Sequence, residues 1–233
     1  MQPTKAPFTL PDIAKMIDHS LLKPFMTHDE IMTGIQVALE YDVASVCLLP
    51  CYLAEAAELL ADSSVQPSTT IGFPHGANAT AVKVAEARQA LDDGGTELDM
   101  VANISKVLSD RWDDVRSDIQ AIVDLAHERD AKVKVIFENC FLNDARKIRL
   151  CEICGDIGVD WVKTSTGFGT GGATLEDLAL MRKHSPDHVQ VKAAGGVRDL
   201  SMALKVRAAG VTRFGCTATV AVLEECKQRL GLT

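Results

Sequence analysis

Asp160-Trp-Val-Lys-Thr-Ser-Thr-Gly-Phe-Gly-Thr-Gly-Gly172 opens as a short apolar strand, turns at a lysine and small hydroxyl residues, and ends in glycines. A helical stripe of Leu175, Leu178 and Ala179 follows. Strand, polar loop and helix therefore sit in one unit. Val189-Gln-Val-Lys-Ala-Ala-Gly-Gly-Val-Arg198 repeats the order of strand, lysine and glycines. Working outward, β-branched runs recur at Met16–Asp18, Val43–Leu49, Thr69–Phe73, Glu97–Ala102, Lys132–Glu138, Asp160–Ser165, His188–Ala193 and Thr212–Gly215. Helical patterns fill the gaps. Thr27-His-Asp-Glu30 reads as a capping box opening a helix to about Tyr41. Ile119, Ile122, Val123 and Ala126 share one helix face, and Gly94-Gly95 stops a helix before the next strand. Eight strand–helix units predict an α/β fold, a (β/α)8 TIM barrel forming a single domain over residues 1–233. The alternative is an open doubly wound sheet, which would carry a glycine fingerprint after its first strand; none is present.

In such a barrel the chemistry lies at the C-terminal ends of the strands. A lysine set into a buried strand end is disfavoured as an ammonium, and its free amine can attack a carbonyl to form a Schiff base. Lys163 is that candidate; the other reading is a lysine snorkelling into solvent. Lys192, on the next strand, would emerge at the same end, and two close ammonium groups make one of them lose its proton more readily. Period-two alternation groups Glu97, Asp99 and Val101 on one face, and Trp161, Lys163 and Ser165 on another. Asp99 is read as an ion-pair partner of Lys192 or a proton relay, against a simple structural salt bridge. Asp18 either supports that site or caps a turn. Glycines and hydroxyls after the lysines offer backbone N–H groups to an anion such as phosphate.

Weaker signals read as structural. His75 lies in the turn Gly72-Phe-Pro-His-Gly76, His19 carries little signal, and His184 and His188 flank a surface loop. Cys151-Glu-Ile-Cys154 falls inside a helix with no second pair, so packing outweighs metal or redox chemistry. Cys47, beside Val46 and Leu48, reads as a buried thiol. Cys216, at a strand end, reads as a pocket-facing and reactive one. No His, Asp or Glu cluster has metal spacing. Seven cysteines, odd in number and irregularly spaced, argue against a disulfide framework and for a reducing cytoplasm. Met1–Leu10 has no signal-peptide run, and no segment approaches the roughly 20 apolar residues of a membrane span. With a net charge of −8, nothing in the composition suggests a nucleic-acid or anionic-membrane surface. Apolar helix faces suit a homodimer.

The motifs Ile17-Asp-His-Ser-Leu-Leu-Lys-Pro24, Ile71-Gly-Phe-Pro74, Glu97-Leu-Asp-Met-Val101, Lys132-Val-Lys-Val-Ile136, Val162-Lys-Thr-Ser-Thr-Gly-Phe168, Val191-Lys-Ala-Ala-Gly-Gly-Val-Arg198 and Arg213-Phe-Gly215 run along nearly the whole chain. In that order they resemble the deoxyribose-phosphate aldolases, class I aldolases on a (β/α)8 barrel. The resemblance implies that Lys163 is the Schiff-base lysine, Lys192 the lysine that lowers its pKa, and Asp99 the carboxylate of a proton relay, with Asp18 nearby. It implies phosphate binding at Gly167, Gly195, Gly196 and the turn of Gly215, Cys216 and Thr217; Cys47 is a further substrate-side position. It implies no cofactor and no metal. The substrates would be 2-deoxy-D-ribose 5-phosphate in one direction, and glyceraldehyde 3-phosphate with acetaldehyde in the other, in deoxyribonucleoside catabolism. Departures fall at Cys216-Thr217-Ala218, where the family has small residues including serines, at Glu138-Asn-Cys140, at Leu49, and at Thr233, where a tyrosine-bearing tail of some members is missing. They keep open a related Schiff-base aldolase acting on another aldehyde or sugar phosphate and, more remotely, a non-catalytic phosphate-binding barrel.

Overall fold

Parallel strands need a crossover of about a dozen residues or more, and the helical segments between the runs supply it. A computed structural model describes residues 8–232. The strands are β1 (Ile17–Leu21), β2 (Ser45–Leu48), β3 (Gln66–Ile71), β4 (Glu97–Val101), β5 (Lys132–Ile136), β6 (Trp161–Lys163), β7 (Gln190–Ala194) and β8 (Arg213–Cys216). All neighbours pair in parallel, and β8 returns to β1 to close the barrel. A short α1 (Leu10–Ala14) precedes β1. The crossovers are α2 (His28–Glu40), α3 (Leu53–Leu60), α4 (Thr80–Asp92), α5 (Ile104–Leu108) with α6 (Trp112–His127), α7 (Asp144–Ile157), α8 (Leu175–His184) and α9 (Leu200–Ala208); α10 (Thr219–Leu230) follows β8. No helix among the described residues is long and apolar enough to cross a membrane. Residues 1–7 and Thr233, on which part of the signal-peptide reading and the tail comparison rest, lie outside the described residues.

The capping box is formed: Thr27 accepts from the Glu30 N–H, and the Glu30 carboxylate accepts from the Thr27 N–H at 2.7 Å. Ile119, Ile122, Val123 and Ala126 are all buried on α6. Gly94, at φ +87°, takes the left-handed position after α4. The apolar core forms a ring between barrel and helices. Outward strand residues such as Leu98, Met100, Val133, Val135, Val162, Val191 and Phe214 pack there with the buried helix faces. This leaves the barrel interior free for polar groups.

All eight strands differ from the sequence expectation by a residue or more at one end or both, and in β1 and β3 particular polar groups account for the difference. β1 extends to Leu21 because Asp18 and His19 both find buried partners instead of water. β3 starts at Gln66, since Pro67 lacks an N–H but its carbonyl still accepts from Thr96 at 2.9 Å. β8 runs one residue further, so Cys216 belongs to the strand rather than a turn. The α8 stripe also differs. Its buried residues are Leu178 and Met181, while Leu175 and Ala179 are exposed; Leu175 borders a shallow cleft with Met202 and Val206 of α9.

His19 illustrates the outward face of β1. Its Nδ1 lies 2.7 Å from the Thr219 hydroxyl of α10, and burial lowers its pKa from the usual 6.5 to about 4. Between these values the unfolded chain carries a proton that the folded chain refuses. Stability therefore falls as pH drops through this window, by roughly 3 kcal/mol in full. Urea unfolding of His19→Gln at pH 4.5 and 7 should show that slope lost; an unchanged slope would assign it to other groups.

Candidate active site

Four cations and three carboxylates meet inside the barrel: Lys134, Lys163, Lys192 and Arg213 with Asp18, Glu97 and Asp99. Each comes from the inward side of a strand, as the ion pairs across the barrel prove. Lys134 on β5 reaches Asp18 on β1 at 3.3 Å, and Arg213 on β8 reaches Glu97 on β4 at 2.8 Å. Lys134 also holds Glu97 at 2.5 Å and Asp99 at 2.9 Å. Asp99 Oδ2 accepts from Lys163 at 2.6 Å and from Lys192 at 2.8 Å. Asp18 pairs with Lys192 and, at 2.5 Å, with Arg213. Trp161 forms part of the lower layer, its ring 5.1 Å from the Arg213 guanidinium and its indole N–H donating to Thr212 at 3.0 Å.

Buried charge of this density is a poor device for stability and a good one for tuning protonation. With four cations against three carboxylates, the most economical state leaves one lysine neutral. Burial works to raise the Asp99 carboxyl, but Lys134, Lys163 and Lys192 outweigh it and hold it well below the usual carboxylate range. Asp18 is held low by Lys134, Lys192 and Arg213 against the same opposition from burial. Burial disfavours charge on Lys134 and Lys192 too, yet their carboxylate partners win and raise both. Lys163 is the exception. Burial lowers it, Asp99 opposes, Lys192 adds to the lowering, and the net shift is downward. Lys163 is thus the lysine most readily neutral.

Burial alone does not mark a site. Lys83 on α4 is fully buried and also lowered, but it has its own carboxylate, Asp118, at 2.5 Å and the Val101 carbonyl at 2.9 Å. Lys163 instead borders an open cleft of about 260 Å³ at the C-terminal ends of β6, β7, β8 and β1. Gly167, Gly195, Gly196, Gly215, Cys216 and Thr217 all border the same cleft. Gly167, Gly195 and Gly196 have φ values of +86°, +77° and +98°, which only glycine adopts readily. Within the β6 loop the glycines divide. Gly167 faces the cleft, whereas Gly172 packs so closely on the β7 turn that a Cβ there would stand 2.8 Å from the Gly195 carbonyl. The loop is anchored from below by Glu138, whose carboxylate accepts from the Thr166 hydroxyl and from its N–H at 3.2 Å.

Asp99, Lys192 and Asp18 lie beneath Lys163 rather than on the cleft wall, and Asp18 is an ion-pair partner, not a turn cap. Cys47 sits at this lower level, near Asp99 and Lys163, and burial pushes its thiol up. Cys216 borders the cleft but is not the reactive thiol expected. It is 2 % exposed, its Sγ lies 3.6 Å from the Val197 carbonyl, and burial raises its pKa. Cys151 and Cys154 are packed into the core, and His75 is exposed in its turn.

Five residues outside the expected set also belong to the site: Lys134 and Arg213 join the buried network, and Lys23, Arg198 and Phe168 line the cleft. Phe168 meets Phe73 edge-on, with centroids 5.3 Å apart, and makes an apolar wall. Only the inward phase of Lys134 on β5 is visible in the sequence; its pairing with Asp99 of β4 requires the register of the folded sheet.

This geometry has known counterparts. Residues 13–218 match the model of the DeoC/LacD family aldolases. A deoxyribose-phosphate aldolase of Rhodopirellula baltica is 58% identical over 221 residues, covering 95% of this chain and 92% of that protein. Among solved structures, an aldolase called QR15 superposes with a TM-score of 0.90 at 36% identity, covering 95% of this chain and 98% of that one. The tetrameric deoxyribose phosphate aldolase of Aeropyrum pernix gives 0.88 at 32%, covering 95% and 93%. With a family match over residues 13–218 and relatives of the same barrel covering most of its length, the chain belongs to the DeoC/LacD family of aldolases.

Proposed function

We propose that the protein is a class I aldolase that reversibly cleaves 2-deoxy-D-ribose 5-phosphate to glyceraldehyde 3-phosphate and acetaldehyde. The observation that carries this is Lys163, a lysine of lowered pKa bordering a cleft none of whose described lining residues is acidic. The neutral Nζ attacks C1 of the open-chain sugar, and the carbinolamine loses water to give an iminium. Removal of the C3 hydroxyl proton, passed through water to the Asp99–Lys192 pair, breaks the C2–C3 bond. That electron pair enters the iminium as an enamine while glyceraldehyde 3-phosphate leaves. Protonation at C2 and hydrolysis by water return acetaldehyde and the free amine. Borohydride reduction in the presence of acetaldehyde, followed by mass spectrometry, tests the assignment. The adduct should sit on Lys163; an adduct on another lysine, or none, overturns it.

The phosphate end is assigned to the turns after β7 and β8, the usual phosphate position of this barrel type. Two features support it. Gly195 and Gly196 bring backbone close to the cleft. The first residue before α10, Ala218, makes no side-chain cap bond, so the helix N-terminus beside Thr217 is suited to an anion. Gly196→Val forces a β-branched residue to φ +98° and blocks the approach. It should raise KM for the phosphorylated sugar at least tenfold more than KM for 2-deoxyribose, and equal effects on both would move the phosphate site elsewhere. The segment Cys216-Thr217-Ala218 at the end of β8, with a single hydroxyl, favours a second reading in which another sugar phosphate or aldehyde is preferred. A panel of phosphorylated and unphosphorylated aldols separates the two. The same proposal includes a cytoplasmic role in deoxyribonucleoside catabolism, in keeping with seven free cysteines. It also includes a homodimer, supported by outward apolar residues such as Val82, Leu108 and Val220 and measurable by light scattering.

A further inference from the structure

The loop after β1 brings to the cleft a cation that neither the lysine chemistry nor the glycine turns use. We propose that Lys23 is a specificity-determining residue that closes on the substrate phosphate from the β1 side, opposite Gly195, Gly196 and Arg198. The inference rests on the phosphorylated substrate proposed above.

Placement comes first. Because β8 pairs with β1, the loop after β1 stands next to the turn after β8, and Ser20, Leu22 and Lys23 share the cleft with Gly215 and Thr217. The cradle is thereby extended from two strand ends to three neighbouring ones. Charge comes second. Three cations line the cleft, Lys23, Lys163 and Arg198, and none of its described lining residues is acidic, in a protein of net charge −8. Lys163 must be neutral to act, so Lys23 and Arg198 carry the positive field. Neither makes a salt bridge within 4.0 Å among the described residues. The third point is freedom. The Lys23 ammonium rests 5.7 Å from the centroid of the Phe25 ring, and Phe25 is 75% exposed. A cation over an exposed ring is weakly held, so a phosphate dianion can draw it away. Pro24, with its fixed φ, stiffens the link between the two residues.

Lys23 so placed would discriminate by the terminal charge of the substrate and leave the carbonyl end to Lys163. Lys23→Met keeps the aliphatic stem and removes the charge. The ratio of kcat/KM for 2-deoxyribose 5-phosphate to that for 2-deoxyribose should fall about tenfold, carried by KM, as expected for one charge-assisted contact. Lys23→Arg should restore most of the ratio. Inorganic phosphate, titrated by 31P NMR, should bind the Lys23→Met protein about tenfold more weakly, with a shallower salt dependence than wild type. An unchanged phosphate affinity, or an equal loss on both sugars, overturns the role of Lys23. The phosphate titration needs no turnover. A wild-type protein that binds phosphate through Lys23 but is not trapped by borohydride would therefore refute the aldolase reading and leave this one standing.

Discussion

Lys163→Ala and Lys163→Arg should both lose aldol cleavage by about 10⁴-fold or more, and both should lose borohydride trapping with acetaldehyde. Alanine has no amine. Arginine keeps the charge and the length but never presents a neutral nitrogen at accessible pH. The structure adds a second and less obvious expectation for stability. Lys163 is the cation in excess, four against three carboxylates, and it is buried at 3% exposure. Its removal takes a hard-to-charge amine out of the barrel and leaves Asp99 with Lys134 and Lys192. Lys163→Met, which also preserves volume, should therefore melt no lower than wild type. An inactive variant with an unchanged or raised Tm separates the chemistry from the fold. Trapping that survives in any of the three would remove Lys163 from its role, and a large drop in Tm would show that the amine is charged in the resting protein.

Much of this was legible in the sequence because two periodicities coincide. The strand runs and the helix faces alternate, and eight such units without a glycine fingerprint after the first strand favour a closed barrel over an open sheet. Lys163, Lys192 and Asp99 could be placed because each sits at a strand end near a glycine turn, where position on the strand already fixes position in the site. What stayed hidden depends on closure. Lys134 and Arg213 read singly as polar residues in the inward phase of β5 and β8; their meaning comes from Asp18 and Glu97, which lie far away in sequence and opposite across the barrel. β1 was cut short for the same reason, since Asp18 faces this network while His19 faces Thr219 of α10. Glycine reading also had a limit. Gly172 and Gly196 look alike in the sequence, yet one is required by packing on a neighbouring loop and the other faces the cleft. Cys216 was assigned reactivity from its place at a strand end, and the one-residue extension of β8 turned its sulfur toward Val197 instead.

Asp99→Asn should produce the opposite pattern from Lys163→Ala, keeping the covalent step and losing the proton. Asp99 is the anion common to Lys134, Lys163 and Lys192, and no part of it is exposed. An asparagine leaves four cations with two carboxylates, so the barrel must release a further proton. Asp99 is the main group that opposes the lowering of Lys163. Without it the amine is neutral to lower pH, and the rising limb of the pH–rate profile moves toward acid. Acetaldehyde should still be trapped on Lys163. Cleavage and deuterium exchange into acetaldehyde should fall by about 10²- to 10⁴-fold, the range for loss of a positioned acid–base group. Tm should fall as well, because a buried ion cluster that loses one partner is destabilised by about 3–5 kcal/mol. The diagnostic is the ratio of trapping to exchange in folded protein at a temperature well below that Tm. A ratio equal to wild type would mean that Asp99 serves only to hold Lys163 and Lys192 in place. A ratio raised by two orders of magnitude or more would identify the Asp99–Lys192 pair as the route by which the proton enters and leaves C2.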